Sequence, residues 1–365
     1  MNMTTKEKVL SILAEAKGKT VSGEALAVEC NVSRAAVWKA VNALREAGHQ
    51  IEGSTNGGYV LSDDDVFTAE IFKETFSSSF PEFSDSHIEC FKEIDSTNTY
   101  AKRLLAEHEK KYHKAIFIAE KQTAGRGRIG RTFVSPEKSG IYFSIIYSPE
   151  GGIKDPARIT ACTAVAVCRA IKKLYDFQTQ IKWINDIFAG GKKICGIGTE
   201  GITNFETGMI ESAVIGIGIN IHTDKTAFSP ELTKTAGSLE EAMTKENPDS
   251  KYNLNRSQIA AEVCGQVLRI LEEDISSAAS HKAIIKEYKE ASLLIGREIT
   301  VFPLIGDQKS SYKATATDID DNAGLIVTLA DKTTRTLSSG EVTLKSANFN
   351  YNGPAEAIHL PERSF

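Results

Sequence analysis

Gly125-Arg126-Gly127-Arg128-Ile129-Gly130-Arg131 places three arginines between three glycines and directly follows the apolar run 115–119, which predicts a strand. Glycines let a loop adopt backbone angles that side chains forbid, so its N–H groups can approach a ligand closely. Arginines supply forked, permanently charged donors that match phosphate or carboxylate oxygens. The sequence therefore predicts a strand followed by a loop that closes over a polyanion.

The same glycines satisfy G-x-G-x-x-G, the dinucleotide-binding fingerprint, which requires a helix directly after the loop. Residues 132–136 are β-prone and end in proline, so no helix N-terminus is available for a pyrophosphate. A second match at Gly196, Gly198 and Gly201 precedes residues 202–205, which are no better as a helix start. The chain contains no G-x-x-x-x-G-K-[ST] motif. These patterns argue against a Rossmann domain and exclude a P-loop.

The composition is that of a soluble globular protein, because 41% of the residues are hydrophobic and 25% are charged. A length of 365 residues predicts two or three domains. The net charge of −5 gives no overall basic field, so any contact with nucleic acid must be local. No apolar run approaches the roughly 18 residues of a membrane span, and the N-terminus is no signal peptide. Six scattered cysteines predict a reducing cytoplasm and no structural metal.

The first 65 residues carry the pattern of a winged helix-turn-helix. Apolar spacing and serine N-caps predict three helices followed by a hairpin, at 6–16, 23–29, 34–47 and 50–61. The third helix of such a domain enters the DNA major groove. Its candidate DNA contacts are Ser33, Arg34, Ala35, Lys39, Asn42 and Arg45.

A small docking domain is the alternative for residues 1–65, which hold seven Lys and Arg against nine Asp and Glu. That balance argues against strong non-specific DNA binding. Three of the acids, Asp63 to Asp65, belong to the expected linker, and the third helix is locally basic. The order of elements therefore favours DNA binding.

The rest of the chain completes an α+β multidomain architecture. Alternating patterns over 66–294 predict an α/β domain with a mixed sheet. Its helices are expected near 69–72, 97–108, 156–175, 255–274 and 280–291, and its strands at 87–93, 115–122, 140–148, 179–185, 193–200 and 213–219. Segment 222–254 is polar and turn-rich, which predicts a surface excursion. Five short strands over 295–347 predict an SH3-like barrel, and 348–365 a flexible tail.

Polar residues at two strand ends are candidates for ligand contacts. Ser96-Thr97-Asn98 stands at a strand-to-helix junction, where it could cap the helix or hydrogen-bond a ureido or amide group. Gln122, which ends the strand before the arginine loop, would add an amide to the same pocket.

A second group of candidates surrounds Lys182-Trp183-Ile184-Asn185-Asp186. Period-two alternation puts Lys182 and Asp186 on one strand face, where they could bind phosphate and Mg²⁺. Core packing of the tryptophan and a turn at Asn-Asp are the structural alternatives. The glycines alternating through Ile215 to Asn220 leave a bare strand face, which predicts the close approach of a base or a ring.

Taken together, these features resemble the bifunctional biotin–protein ligases that also repress transcription of the biotin operon. The resemblance covers about residues 5–347. It is carried by Ser33 to Val37, Asp95 to Asn98, Gln122, Gly125 to Arg131, Lys182 to Asp186, Lys193, Gly196-Ile197, Gly218 to Asn220 and Gly340-Glu341.

The resemblance implies a two-step ligation in which biotin attacks the α-phosphate of Mg·ATP. The product, biotinyl-5′-AMP, then biotinylates a lysine of the biotin carboxyl carrier protein of acetyl-CoA carboxylase or of pyruvate carboxylase. The adenylate would also act as corepressor by ordering loops that complete a homodimer on operator DNA, and the carrier protein would compete for that face.

Site residues follow from the resemblance position by position. The expected biotin contacts are Ser96, Thr97, Asn98, Gln122, Arg126, Gly127, Arg128, Lys193 and Gly196. The expected ATP contacts are Arg128, Arg131, Phe133, Lys182, Asn185 and Asn220, with Asp186 as a magnesium ligand. Catalysis is assigned to Lys193, Arg126, Arg128 and Lys182. Phe133 stands where these proteins often carry tryptophan.

Two other interpretations stay open from the sequence. A lipoate or octanoate transferase shares the ligase fold, but it would lack Lys182 to Asp186 in this form and the full loop 125–131. A ligand-sensing repressor without catalysis would use the arginine loop only to bind a nucleotide. Turnover distinguishes such a sensor from an enzyme.

Overall fold

The structure is a computed structural model. It describes residues 4–16, 19–46, 49, 51–54, 57–61, 67, 69–204, 206–222, 227–250, 252–303 and 310–344. The predicted linker acids 63–65 and the predicted tail 348–365 lie outside these ranges. The chain forms two compact units, one of Met1–Phe72 with Asn253–Gln258 and the other of Lys73–Tyr252 with Ile259–Phe365.

The N-terminal unit contains the predicted winged helix-turn-helix. Its elements are α1 (Thr5–Glu15), α2 (Gly23–Cys30), α3 (Arg34–Glu46), β1 (Ile51–Ser54) and β2 (Gly58–Leu61). Ser22 caps α2, since its hydroxyl oxygen accepts from Ala25 N at 3.0 Å. The helical apolar faces form one core, which includes Val9, Leu13, Leu26, Val37, Val41, Leu44 and Tyr59.

A seven-stranded mixed sheet is the centre of the larger unit. Its strands are β3 (Ile88–Phe91), β4 (Ile116–Ala119), β5 (Gly140–Tyr147), β6 (Gln180–Lys182), β7 (Asp186–Ala189), β8 (Lys192–Thr203) and β9 (Ile210–Asn220). They lie in the order β3-β4-β5-β9-β8-β7-β6. Only the β3–β4 pair is parallel among the described strand pairs of this sheet, so the prediction of a mixed sheet is confirmed.

Helices precede, connect and follow the strands of this sheet along the chain. They are α4 (Ala69–Ser79), α5 (Thr97–His108), α6 (Pro156–Tyr175), α7 (Leu232–Thr235), α8 (Leu239–Glu246), α9 (Arg256–Ser276) and α10 (Ala278–Glu290). The long helix α6 begins with proline at its first turn and is capped by Asp155, whose carboxylate accepts from Ala157 N at 2.8 Å. It packs against β8 and α10. Of the helices in the described part of the chain, none combines the length and apolarity that a membrane crossing requires.

One sequence-based expectation in this unit is wrong. The strand predicted over 179–185 ends at Lys182, and the next three residues form a turn into β7. Lys182 and Asp186 therefore face each other across an antiparallel pair and do not share one strand. Segment 222–254, predicted as a surface excursion, contains α7 and α8, and Ser238 caps α8 by accepting from Glu241 N at 3.1 Å.

The C-terminal strands form a separate antiparallel sheet. They are β10 (Glu298–Phe302), β11 (Tyr312–Ile319), β12 (Leu325–Thr328), β13 (Thr334–Leu337) and β14 (Glu341–Leu344). All five predicted strands are present, in the order β13-β12-β11-β10-β14. Over residues 298–303 and 310–344, β13 and β14 do not pair, so a closed barrel is not observed there.

Candidate active site

A cleft on the seven-stranded sheet brings most of the predicted ligand contacts together. It has about 480 Å³ of free space, a volume that includes open solvent. Its predicted members are Ser96, Thr97, Asn98, Gln122, Arg126, Gly127, Arg128, Phe133, Asn185, Lys193 and Gly196. Phe143, Ile197, Gly198, Gly216, Ile217 and Gly218 complete the lining.

One wall of the cleft consists of the start of α5 and the end of β4. Ser96 is the residue before the helix, with its hydroxyl oxygen 3.5 Å from Thr99 N, while Thr97 and Asn98 are buried beside it. Gln122 Oε1 accepts from Thr97 N at 2.9 Å, and Gln122 Nε2 donates to Ser135 Oγ at 3.0 Å. The predicted capping contact is therefore present, and the polar groups of this segment line the cleft.

Behind this wall lie two residues that the sequence analysis did not single out. Ser144 Oγ is 2.7 Å from Thr97 Oγ1 and 2.5 Å from Asn98 Oδ1. Glu200 Oε1 accepts from Asn98 Nδ2 at 3.0 Å, and Glu200 Oε2 lies 2.6 Å from Lys102 Nζ. Burial raises the pKa of Glu200, but hydrogen bonds from Lys102 and Asn98 outweigh it, so this pKa is lowered. Glu200 is therefore a charged carboxylate behind the cleft.

The bare glycine face of β9 is filled by two side chains of this chain. A Cβ at Gly216 would lie 2.2 Å from Asn98 Oδ1, and one at Gly218 would lie 2.5 Å from the Phe133 ring. Such distances are far below van der Waals contact, so a Cβ at either position would force the neighbouring side chain to shift. The predicted close approach of a ring is confirmed, and the ring belongs to Phe133.

The arginine loop is a compact hairpin at the mouth of the cleft. Phe133 N donates to Gly125 O at 2.9 Å and Gly127 N donates to Arg131 O at 2.7 Å, which closes the loop around a 3₁₀ turn. Arg126 is exposed and Arg128 is half-buried. The backbone thus holds both guanidinium groups at the edge of the cleft.

Cations and polar groups form a network along the opposite wall. Arg128 Nη1 donates to Asn185 Oδ1 at 2.7 Å, and Asn185 Nδ2 donates to Asp186 Oδ1 at 2.9 Å. Lys193 Nζ lies 2.7 Å from the same carboxylate oxygen of Asp186. The turn from β6 to β7 therefore connects the arginine loop to Lys193.

The same turn is held by contacts below the cleft. Trp183, only 5% exposed, donates from Nε1 to Ala323 O at 2.7 Å, and Tyr288 donates to Ile184 O at 3.0 Å. Lys182 is buried at the start of the turn. Burial lowers the pKa of Lys182 to about 8, although Asp186 and Glu341 act in the opposite direction.

Four predicted site residues lie outside the lining of the cleft. Arg131 forms an ion pair at 2.7 Å with Glu341 of β14, and Asn220 Nδ2 donates to Gly237 O at 3.0 Å. Lys182 is buried at the end of β6, and Asp186 is joined to the lining through its ion pair with Lys193. The roles of these four residues in binding ATP or Mg²⁺ stay predictions.

In the N-terminal unit, α3 carries most of the predicted DNA contacts on an exposed face. Ser33, Arg34, Ala35 and Lys39 are exposed. Trp38, which the sequence analysis did not include, is 48% exposed among them.

Arg45 is bound instead to the wing of the same unit. It donates from Nε to Ile51 O at 2.8 Å and from Nη2 to Gly53 O at 2.9 Å, and it lies beside Asn42 Oδ1. These bonds give Arg45 a structural role on the wing.

Sequence and structure comparisons agree with this architecture. The profile of the Biotin/lipoate A/B protein ligase family matches residues 90–220, and an HTH domain profile matches residues 5–60. A solved structure described as "Biotin protein ligase from Aquifex aeolicus in complex with biotin and ATP" matches with a TM-score of 0.56 at 20% identity, over 71% of this chain and 98% of that chain. At this identity the match shows the fold of the larger part of the chain.

Two relatives share longer stretches of sequence. The "Bifunctional ligase/repressor BirA" of Escherichia coli (strain K12) is 25% identical over 344 residues, which is 93% of this chain and 97% of that protein. The protein of the same name from Bacillus subtilis (strain 168) is 32% identical over 242 residues, which is 66% of this chain and 73% of that protein. With a winged helix-turn-helix, a ligase domain and this similarity, the chain belongs to the family of bifunctional biotin ligase/repressors.

Proposed function

We propose that this protein is an ATP-dependent biotin–protein ligase that also represses transcription in response to biotin. Residues 66–294 would carry the ligase and residues 1–65 the DNA-binding domain. One observation supports the ligase above all others: a single cleft has a hydroxyl and amide wall at Thr97 and Gln122 and a cationic side at Arg128 and Lys193. The hydroxyl and amide wall suits a cyclic urea, and the cationic side suits a carboxylate beside a phosphate.

The polar wall would bind the biotin ring. Ser96, Thr97, Asn98 and Gln122 offer hydroxyl and amide groups in the lining of one cleft. The space above Gly198 is open, because a Cβ at this position would meet no atom within 4 Å, and it leaves room for an apolar ring on the sheet. Gly196 lines the same floor of the cleft.

The cationic side would promote adenylation. Joining a carboxylate to a polyphosphate brings like charges together, so cations are needed where the α-phosphate reacts. The carboxylate oxygen attacks the α-phosphorus, the bond to the bridging oxygen breaks, and pyrophosphate leaves with the electron pair. Lys193, Arg126 and Arg128 would stabilise that charge, and Phe133 and Asn220 would contact the adenosine.

Mg²⁺ enters this scheme as part of the Mg·ATP substrate. No group of three His, Cys, Asp or Glu in the described ranges could hold a metal ion by itself. We propose that the carboxylate of Asp186 lies beside the metal ion. This agrees with the usual coordination of Mg²⁺ by one or two carboxylates together with substrate phosphates. Lys182, Asn185 and Arg131 would contact the nucleotide phosphates.

The second step needs no nucleophile from this chain. The amine of a lysine on the biotin carboxyl carrier protein attacks the adenylate carbonyl carbon, the amide forms, and AMP leaves. Because a mixed anhydride hydrolyses in water, the hairpin loop 125–131 would cover it until the carrier arrives.

The regulatory proposal joins both activities. Biotinyl-5′-AMP would order loops that complete a homodimer, and two α3 helices would then reach the two half-sites of an operator. The unmodified carrier would compete for that dimer face. We further propose that the C-terminal sheet is an SH3-like module and that the protein acts in the cytoplasm.

Pyrophosphate exchange tests the ligase directly. Purified protein is incubated with Mg·ATP and labelled pyrophosphate, together with biotin, with lipoate, or with neither. Biotin-dependent exchange that disappears in Lys193→Ala supports the proposal. Exchange with lipoate alone would make the protein a lipoate-type enzyme, and tight biotin binding without exchange would make it a sensor.

A further inference from the structure

Four glycines lie together on the floor of the cleft, two on each of two neighbouring strands. Gly196 and Gly198 of β8 pair with Gly218 and Gly216 of β9, and all four belong to the lining. A glycine in the middle of a strand weakens the strand, because it loses more backbone entropy on folding and offers no side chain for packing. Each of the four positions therefore needs a physical reason for its glycine.

Neighbouring side chains supply that reason for three of the glycines. Asn98 lies against Gly216, and the ring of Phe133 lies against Gly218. A Cβ at Gly196 would also be close to the Phe133 ring, at 3.3 Å. At these three positions a side chain would have to displace a neighbour that itself lines the cleft.

Gly198 has no such neighbour. A Cβ at this position would meet no atom of the described residues within 4 Å. Its φ also lies outside the left-handed region, so the backbone would accept a side chain without strain. Neither packing nor backbone conformation requires glycine here, and the effect of this glycine is an uncovered position in the floor of the cleft.

The uncovered position lies between the two ends of the proposed ligand site. Across the strand pair, Gly198 adjoins Gly216 and thus the side chain of Asn98 on the polar wall. Along the same face of β8 it adjoins Gly196, where a Cβ would lie 3.1 Å from Lys193 Nζ. A biotin with its ureido group at the wall and its carboxylate near the lysine would therefore place its thioether ring, which lies between those groups, over Gly198.

We propose that Gly198 is a specificity-determining residue, because the open floor above it sets how bulky the thioether ring of the substrate can be. The inference rests on the proposed binding of biotin in this cleft. With only hydrogen at this position, the floor accepts a ring that carries an additional methylene, whereas a side chain would occupy that volume. One methylene in an apolar pocket changes binding by a factor of about 10 to 200, so the side chain of valine is large enough to reveal the effect.

The test uses three ligands that differ in the bulk of this ring, with Kd measured by isothermal titration calorimetry. Desthiobiotin lacks the ring sulfur, biotin contains it, and a ring homologue of biotin has one more methylene in the thioether ring. In the unaltered protein we expect the Kd of the ring homologue to lie within about threefold of that of biotin. In Gly198→Val the Kd should rise at least about tenfold for the ring homologue, less for biotin and least for desthiobiotin.

A matched control adds the same side chain to the same strand. Gly201 is exposed on β8 outside the lining of the cleft, and the nearest neighbours of a Cβ there would be side-chain atoms of Ile210. Gly201→Val should leave all three Kd values unchanged. If Gly198→Val changes the three Kd values by the same factor, or changes none of them, the inference is wrong.

Gly198→Ala keeps the test decisive if Gly198→Val does not fold. This smaller side chain should raise the ratio of the Kd of the ring homologue to that of biotin about threefold, and an unchanged ratio would overturn the inference. Binding of the ligands without pyrophosphate exchange would refute the proposed ligase, while the order of the Kd values would still decide the role of Gly198. If the unaltered protein binds none of the three ligands, the inference fails together with the proposed binding of biotin.

Discussion

Lys193 and Asp186 form an ion pair in the wall of the cleft, with Nζ and Oδ1 2.7 Å apart. Asp186 also accepts from Asn185, which in turn accepts from Arg128, so one carboxylate organises the cationic side of the site. A ligand carboxylate or phosphate that enters the cleft would compete with Asp186 for Lys193. The ion pair therefore holds the lysine in place before the substrate binds.

The first prediction concerns the loss of this cation. Lys193→Ala should lower kcat for adenylate formation about 10²- to 10³-fold, because a positioned donor at the reacting centre is removed. Pyrophosphate exchange at saturating biotin and ATP measures the effect. Lys192→Ala is the matched control, since the neighbouring Lys192 pairs with Glu241 at 2.7 Å on the surface of the protein. Equal losses in both variants would contradict a special role for Lys193.

The second prediction uses the buried amine of Lys182, whose pKa is lowered to about 8. If its charge binds nucleotide phosphate, KM for ATP should rise as the pH increases through about 8, because the amine becomes neutral. Lys182→Met should show the high KM at every pH and no inflection there. A profile with the same inflection in both proteins would assign the titration to another group.

The free energy of unfolding should increase over the same pH range in which the affinity for ATP falls. The folded-state pKa of Lys182 lies below its usual value of 10.5, so above about pH 8 the unfolded chain binds more protons. Stability therefore rises with pH between these two values. Chemical denaturation at several pH values should show this rise in the unaltered protein and a smaller rise in Lys182→Met.

Local patterns predicted nearly all elements of the fold, because apolar periodicity and capping residues act within a few positions of the chain. α5 (Thr97–His108) and α6 (Pro156–Tyr175) begin and end where the sequence indicated. The strand predicted over 179–185 was wrong because an apolar Trp-Ile pair outweighed the turn signal of Asn185-Asp186. In the structure that pair packs inside a turn, with Trp183 bound to the C-terminal sheet.

The site was only partly predictable, for a related reason. Its loop and its lysines carry recognisable motifs, whereas Ser144 and Glu200 are single polar residues within strands. They lie 46 and 102 positions from Asn98, so only the assembled sheet shows that all three are in contact. Alternating glycines in β9 did signal a close approach to this strand face, and the structure identifies Asn98 and Phe133 as the neighbours.

The third prediction compares two glycines that face each other across β8 and β9. Gly216→Ala would place its Cβ 2.2 Å from Asn98 Oδ1, so Asn98 must move, whereas a Cβ at Gly198 meets no atom within 4 Å. We expect Gly216→Ala to lower the unfolding temperature and to raise KM for biotin at least about tenfold. Gly198→Ala should leave the unfolding temperature unchanged. Equal unfolding temperatures for the two variants would show that Asn98 can move without loss.

The last prediction separates DNA contact from domain structure within the N-terminal unit. Lys39 is exposed on α3, whereas Arg45 donates two hydrogen bonds to the wing carbonyls of Ile51 and Gly53. If α3 binds the phosphate backbone, Lys39→Ala should weaken binding and reduce the slope of log K against log salt by about 1.

Arg45→Ala should instead lower the thermal stability of this unit, because two wing carbonyls lose their donor.

Fluorescence anisotropy measures the slope of log K against log salt for each variant. The probe is a labelled duplex that has been selected from a random-sequence pool, and it is titrated at several salt concentrations in the presence of biotin and ATP. Lys8→Ala is the matched control, since Lys8 is exposed on α1 and its loss changes the net charge equally. If Lys39→Ala and Lys8→Ala give the same salt dependence, the effect is one of overall charge, and α3 is not the helix that contacts the phosphates.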